Sequence, residues 1–334
     1  MRRRGFIALL GSAAAWPLAA HAQQTGKTHS IAIVHPSASI ADMNESGRNP
    51  AYAGFFKELR RFGYIEGDNL IVARYSAEGR EARFSELCEQ VVRTKPDVIV
   101  AAASRLILAF KAATDTVPVA AVMADPVAFG IVTSIARPGG NITGVAVDST
   151  LDIWAKRMQL LREAIPTAAK VGFLGSHKIW DSPLVATMRE AAQQLGTSLL
   201  GPPMESPIQD EEYRRVIGAM AQEHVDGVII NDQAEHFANR QLIVDLVGAA
   251  RLPAIFPFRE AFEIGALMVY GSSVVDAYRR LAVYVDQILK GARPGDLPIY
   301  LASKFELLIN SRTAKALELT IPPSLLVRAD EIIE

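Results

Sequence analysis

The sequence predicts an α/β protein made of two Rossmann-like lobes, each containing a doubly wound parallel sheet. Short runs of Val, Ile and Ala alternate with amphipathic segments of helix length over nearly the whole chain. Several runs are continuously apolar, as required of parallel strands that helices cover on both faces. The alternation occurs in two rounds, over about residues 29–147 and 168–257, and each round has the length of one five-stranded α/β unit.

The first round contains five candidate strands separated by helical patterns. One apolar stripe runs from Tyr52 to Phe62 and is followed by Gly63, a residue typical of helix C-termini. Cys88 belongs to a second stripe, and no basic residue lies beside it, so a buried structural cysteine is favoured over a nucleophile. The candidate strands are residues 30–34, 70–75, 97–102, 117–122 and 143–147.

The second round repeats this architecture without a recognisable sequence repeat. A helical stripe over residues 184–195 is preceded by Asp181-Ser182-Pro183 and followed by Gly196, which are helix start and stop signals. Another helical stripe, over residues 151–165, joins the rounds without a Gly/Ser-rich or proline-rich linker, so we expect tightly coupled lobes. The candidate strands are residues 170–175, 198–200, 227–230, 254–256 and 266–269.

Residues 1–22 have the pattern of a cleavable export signal. Three arginines at positions 2–4 precede an apolar run over residues 6–20, and Ala20-His21-Ala22 supplies the small residues of a cleavage site. The run is shorter than a membrane span, and Pro17 interrupts it. We therefore expect a mature protein that begins near Gln23 and lies in the periplasm. The order Arg-Arg-Gly-Phe-Ile at 3–7 leaves both the twin-arginine route and the ordinary secretory route open.

Cysteine content and charge narrow the possible functions. Cys88 is the only cysteine, so the chain has no intramolecular disulfide and no cysteine near the cleavage site to carry a lipid anchor. The formal charge is −1, and it becomes −4 once the three signal arginines are removed. Nothing in this balance resembles a nucleic-acid-binding surface. The sequence predicts a protein without a lipid anchor or nucleic-acid partner.

The common catalytic and cofactor motifs are missing. No G-x-G-x-x-G follows the first candidate strand, and neither a P-loop nor a G-x-S-x-G nucleophile elbow occurs. The six histidines show no H-x-H or H-x-x-x-H spacing. Together with export and two α/β lobes, these absences favour a binding protein over an enzyme and predict no cofactor and no metal.

Candidate binding residues follow from strand order. In open α/β sheets, ligands bind beyond the carboxyl ends of the strands, and hydroxyls at helix starts suit a carboxylate. Each candidate also has a structural interpretation: Ser104 and Asp232 as helix N-caps, Asp125 as a turn former and Arg259 as a surface ion pair. The candidates at strand ends are Ser37, Ser104 and Asp125 in the first lobe and Ser176, Asp232, Phe258 and Arg259 in the second.

Several segments along the chain match the motifs of one known family. They are the signal, A-D-P-V at 124–127, A-R-P-G-G-N-I-T-G at 136–144, L-P-A-I-F-P-F-R at 252–259, L-M-V-Y-G at 267–271, and the segments 278–298, 304–310, 313–317 and 322–334. In these segments the chain resembles the bacterial ABC-transporter substrate-binding proteins related to tryptophan and other amino-acid transport. The resemblance extends from the signal to the C-terminus and is most specific in the last third. The chain departs from the common pattern at His35 and at residues 101–104, both at the expected pocket, so the ligand need not be that of any relative.

This resemblance implies the type I periplasmic-binding-protein fold, in which three crossovers join two lobes. Residues 29–147 plus about 273–302 would form lobe 1, and residues 149–258 plus about 311–334 would form lobe 2. The crossovers would fall near 147–149, 258–272 and 303–310. Asp148 and Tyr270 would then lie at crossovers and contact the ligand or form part of the hinge.

The expected function is that of the periplasmic binding component of an ABC importer. It would close, as a monomer, on a small polar organic solute, amino-acid-like or a carboxylate, and deliver it to a permease in the inner membrane. Two alternatives stay open at this stage: a periplasmic sensor for a membrane receptor and, less favoured, an exported α/β hydrolase.

Overall fold

Two separate sheets organise the chain. The computed structural model describes residues 28–47, 49–147, 151–206 and 208–334. The predicted signal and the candidate residue Asp148 lie outside the described residues. Within them, no helix is long and apolar enough to cross a membrane.

The first sheet has six parallel strands in the order β11-β5-β4-β3-β1-β2. The predicted strands are confirmed to within two residues at each end, and β11 was not predicted. The strands are β1 His29–His35, β2 Leu70–Ser76, β3 Val98–Ala102, β4 Val119–Met123, β5 Ile142–Ala146 and β11 Tyr300–Leu301.

The second sheet has seven strands in the order β13-β12-β10-β9-β8-β6-β7. All neighbouring pairs are parallel except β10 with β12, which is antiparallel. The strand predicted at 266–269 begins and ends later, and β12 and β13 were not predicted. The strands are β6 Lys170–Leu174, β7 Ser198–Leu200, β8 Gly227–Ile230, β9 Ala254–Phe256, β10 Met268–Ser272, β12 Phe305–Asn310 and β13 Glu331–Ile333.

Thirteen α-helices lie among the described residues and cover the sheets. Before residue 200 they are α1 Pro50–Arg61, α2 Phe84–Arg93, α3 Ser104–Ala113, α4 Asp152–Ala164, α5 His177–Trp180 and α6 Pro183–Gln194. After residue 200 they are α7 Asp210–Gln222, α8 Ala234–Ala238, α9 Arg240–Ala249, α10 Arg259–Phe262, α11 Val274–Leu289, α12 Ser311–Ala316 and α13 Pro323–Arg328.

Each sheet is buried between two apolar layers, as its continuously apolar strands predict. In β1, Ile31 and Ile33 face the layer formed by α1 and α11, whereas Ala32 and Val34 face the layer formed by α2 and α3. Cys88 is fully buried in this second layer, and its burial raises the pKa of the thiol to about 12. The structural interpretation of this cysteine is confirmed.

Helix α11 shows how late segments of the chain complete the first sheet. It follows β10 of the second sheet but packs against α1, β4 and β5. The rings of Tyr52 and Tyr278 meet edge to face at a centroid distance of 5.0 Å. The chain therefore passes between the sheets after β5, after β10 and after β11. These passages bring the carboxyl ends of strands from both sheets to one cleft.

Candidate functional site

A cleft between the two sheets is the principal candidate site among the described residues. It encloses about 1080 Å³ of free space, part of it open to solvent. Its walls include segments that follow β1, β2, β3 and β4 in the first sheet and β6, β8 and β9 in the second. This is the location expected for ligands of open parallel sheets.

The N-terminus of α3 forms part of the first wall. Ala103, just before the helix, has a left-handed backbone with φ 72°, and its N–H donates to the carbonyl of Val122 at 2.9 Å. The buried Ser104 Oγ accepts the N–H of Ala124 at 3.0 Å. Both bonds attach the start of α3 to the end of β4. Because the first N–H groups of a helix lack intrahelical acceptors, this end suits an anionic group.

His35 is a neutral hydrogen-bonding group in the same wall. Its Nδ1 accepts the N–H groups of Ser37 at 3.0 Å and Ala38 at 2.7 Å. The ring proton must therefore reside on Nε2. Burial lowers the pKa of His35 to about 4, so the ring is uncharged at neutral pH.

Aromatic side chains line both walls. Phe84, Phe129 and Tyr278 belong to the first wall, and Phe237 and Phe258 belong to the second. The rings of Phe237 and Phe258 are nearly perpendicular at a centroid distance of 5.6 Å. The cleft can therefore hold a flat apolar group between rings.

Direct contacts also join the lobes across the cleft. The Phe237 ring lies 6.3 Å from the ring of His35. Glu81, which follows β2, accepts contacts from Arg105 at 2.8 Å and from Lys178 of α5 at 3.1 Å. Burial, with a smaller contribution from the Glu81 carboxylate, raises the pKa of Glu235 in the opposite wall. Charged groups of both lobes thus meet beside the cleft.

One carboxyl group stands out in the second wall. Glu260 lines the cleft, and its Oε2 is buried without a hydrogen-bond partner among the described residues. Burial raises the pKa of this carboxyl group. No group of three or more His, Cys, Asp and Glu side chains in the described part of the chain could hold a metal ion.

The family model described as "ABC transporter substrate binding protein" matches residues 38–333. The chain belongs to this family. Its members bind solutes, so the protein is a substrate-binding protein and not an enzyme. This confirms the family predicted from the sequence.

Relatives of this substrate-binding protein share low identity but the same fold. A tyrosine-binding protein of Clostridioides difficile is 23% identical over 271 residues, which cover 80% of this chain and 76% of the relative. The crystal structure of a conserved domain protein from Vibrio cholerae has a TM-score of 0.81 at 24% identity and covers 92% of this chain and 100% of its own. A Streptococcus pneumoniae ABC domain in complex with L-Trp has a TM-score of 0.79 at 22% identity, with the same coverage. The two α/β lobes are confirmed as the type I periplasmic-binding-protein fold.

Four of the residues predicted for the site of this substrate-binding protein line the cleft. They are Ser37, Ser104, Asp232 and Phe258. Ser37 Oγ is buried without a hydrogen-bond partner among the described residues. The N-cap role predicted for Ser104 is wrong, because α3 begins at Ser104 itself and Ala103 is at the N-cap position without a side-chain bond. Ser104 Oγ instead accepts the N–H of Ala124, which follows β4.

Asp125 and Ser176 lie outside the cleft lining, and each is hydrogen-bonded to other groups of the protein. Asp125 Oδ1 accepts the N–H groups of Val127 and Ala128, both at 3.0 Å, which is the turn-forming role considered for it. Ser176 forms two bonds with Gln233: its N–H donates to Oε1 at 2.9 Å, and its Oγ accepts from Nε2 at 3.0 Å. Following a strand was thus insufficient to place these side chains in the cleft.

Arg259 and Tyr270 also lie outside the lining. Arg259 contacts the carboxylates of Glu306 at 2.8 Å and Glu331 at 2.6 Å, so it joins the strands β12 and β13. The ion pair predicted for Arg259 is confirmed, and its partners are Glu306 and Glu331. The Tyr270 ring stacks on Phe305 at a centroid distance of 5.8 Å.

Several residues of the cleft were not predicted from the sequence. Glu81 and Phe84 follow β2, a strand for which no site residue was predicted. Phe237 and Glu260 lie a few residues beyond the predicted strand ends, and Tyr278 counted only as a core residue of its helix. Extending the strand-end rule to seven residues beyond each strand would have found both Phe237 and Glu260.

Proposed function

We propose that this chain is the solute-binding component of an ABC importer and holds a small amino-acid-like solute between its lobes. Aromatic rings on both walls of the cleft carry this proposal because they suit a solute with an apolar or aromatic side chain. The start of α3, with Ser104, is the proposed position of a carboxylate, and Ser37, Asp232 and Phe258 are proposed to contact the solute. The tyrosine-binding and L-Trp-bound relatives support the same class of solute.

A thermal-shift titration tests the solute class. A ligand at 100 times its Kd stabilises the native state by about 2.7 kcal/mol, which corresponds to a Tm increase of about 5 °C or more. We expect this increase with L-tryptophan, L-tyrosine or L-phenylalanine and none with a hexose as the control. An increase with the hexose and none with any amino acid would reject the proposal.

The proposed route is export to the periplasm, cleavage near Gln23 and delivery of the solute to an inner-membrane permease. The arginine-rich start, the short apolar run and the absence of a cysteine near Gln23 support it. N-terminal sequencing of the periplasmic form should find a start near residue 23. Replacing Arg3 and Arg4 with lysine distinguishes the routes, since only twin-arginine export should stop. Recovery of the uncut chain in washed membranes would contradict cleavage and release.

A further inference from the structure

Glu260 has an unsatisfied buried oxygen at the cleft. It lies one residue inside α10, the short helix that follows β9, and lines both the main cleft and an adjoining cavity lined by Pro257, Val274 and Val275. Among the described residues, its Oε2 is buried and receives no hydrogen bond. A buried carboxylate is stable only with a charged or hydrogen-bonding partner. The location of Glu260 allows a ligand to supply that partner.

The two cations that act electrostatically on the Glu260 carboxyl group, Arg240 and Arg259, have other partners. Arg259 contacts Glu306 and Glu331 at the far strands of the sheet. Arg240 lies over the ring of Phe237 at 4.8 Å, and its Nη1 donates to the carbonyl of that residue at 2.9 Å. Neither guanidinium forms a hydrogen bond with Glu260 Oε2.

The charges that line the cleft also favour a cation. Four of its lining side chains have carboxyl groups and one has a guanidinium group, whereas His35 is neutral. Arg105 and Lys178 both contact a single carboxylate, that of Glu81. The carboxyl groups of Asp232, Glu235 and Glu260 belong to the second wall. The second wall therefore carries the negative charge of the site.

Aromatic rings complete the surroundings of Glu260. Phe258 precedes it by two residues, and Tyr278 lies opposite in the first wall; both line the same cleft. Burial raises the pKa of Tyr278 to about 12, and the nearby Glu260 carboxylate adds a smaller contribution in the same direction. Aromatic faces attract cations, so the rings and the carboxylate act in the same direction.

From this geometry we infer that Glu260 is a specificity-determining residue that binds a positively charged nitrogen of the solute. The inference rests on the proposed function and adds to it that a solute with a carboxylate but no amino group binds poorly. An ammonium group at Glu260 would donate a charge-assisted hydrogen bond to Oε2, which would then have a partner. The carboxylate of the same solute would lie at the first wall, near α3.

Calorimetric titration with three probes tests the inference. The probes are L-tryptophan, indole-3-propionate, which lacks the amino group, and tryptamine, which lacks the carboxylate. We expect wild-type protein to bind L-tryptophan at least about 30-fold more tightly than indole-3-propionate, because a buried charge partner contributes strongly to affinity. In Glu260→Gln this ratio should fall to within about threefold, with L-tryptophan affected most.

Glu263→Gln is the matched control because Glu263 is exposed, lies three residues away and lines only the adjoining cavity. It should keep the wild-type ratio, and a urea melt should find Glu260→Gln folded. Two results would overturn this inference but leave the proposed function standing. One is wild-type protein that binds L-tryptophan and indole-3-propionate equally, and the other is an unchanged affinity ratio in Glu260→Gln. Binding of none of the three probes by wild type would reject the proposed function and this inference with it.

Discussion

Replacing Phe237 with alanine should weaken solute binding far more than it weakens the fold. The ring is half-buried, belongs to the second lobe and lies 6.3 Å from His35 of the first lobe. Full burial of a phenylalanine contributes about 1.5–3 kcal/mol. Because the solute covers only the part of the ring that the protein leaves open, we assign about 1.5 kcal/mol to binding. This value corresponds to about a tenfold increase in Kd.

Calorimetric titration of L-tryptophan, together with urea unfolding of the free protein, measures both effects. Phe62→Ala is the control, since Phe62 is also half-buried but lies at the end of α1, outside the cleft lining. The control should lose stability and keep the wild-type Kd. If Phe237→Ala binds within twofold of wild type while its stability falls, the ring is part of the scaffold and our account of the cleft is wrong.

Three further changes have defined outcomes. Ser104→Ala leaves the N–H of Ala124 without its acceptor, so the free energy of unfolding should fall by about 1 kcal/mol. L-tryptophan should bind about tenfold more weakly, whereas the affinity for tryptamine should not change. If calorimetry finds an unchanged Kd for L-tryptophan, Ser104 has a structural role only. Gly144 has φ 140°, and Gly144→Ala would place a Cβ 2.1 Å from the carbonyl oxygen of Ala121. The resulting strain should lower the free energy of unfolding by at least about 2 kcal/mol, and a smaller loss in urea unfolding would contradict this prediction. Burial lowers the pKa of His236 to about 4. Between about pH 6.5 and 4 the unfolded chain therefore binds a proton that the native state does not bind, and stability falls as the pH falls through that window. Between pH 7 and 5, wild type should therefore lose about 2 kcal/mol more than His236→Gln, and equal losses in urea melts would refute the assignment.

The strands and helices were largely predictable because their signals are local. The strands at 198–200, 227–230 and 254–256 begin and end as predicted, since apolar runs between turn residues need no distant partner to be recognised. Strand β12 was not predicted. It forms by antiparallel pairing with β10, more than thirty residues earlier in the chain, and that pairing carries no local signal.

The cleft was predictable in position but only partly in composition. Ser37, Ser104, Asp232 and Phe258 line it because the carboxyl ends of parallel strands meet at one edge. Asp125 and Ser176 lie at equivalent strand ends, yet nearby hydrogen-bond partners hold their side chains elsewhere. Whether such a side chain is available to a ligand depends on which protein groups lie within hydrogen-bond distance of it. The spacing of residues along the sequence does not show this.

The sequence by itself determined the α/β class through its periodicity and the family through its motifs. The export signal and the sheet edge at which a ligand binds stay predictions, and they too follow from patterns within short segments. Only the tertiary structure decided which side chains face one another, because residues far apart in the chain, such as Glu81 and Lys178, meet only when the lobes approach. The tertiary structure also decided that Glu260 Oε2 has no hydrogen-bond partner among the described residues, because this depends on which groups pack around it.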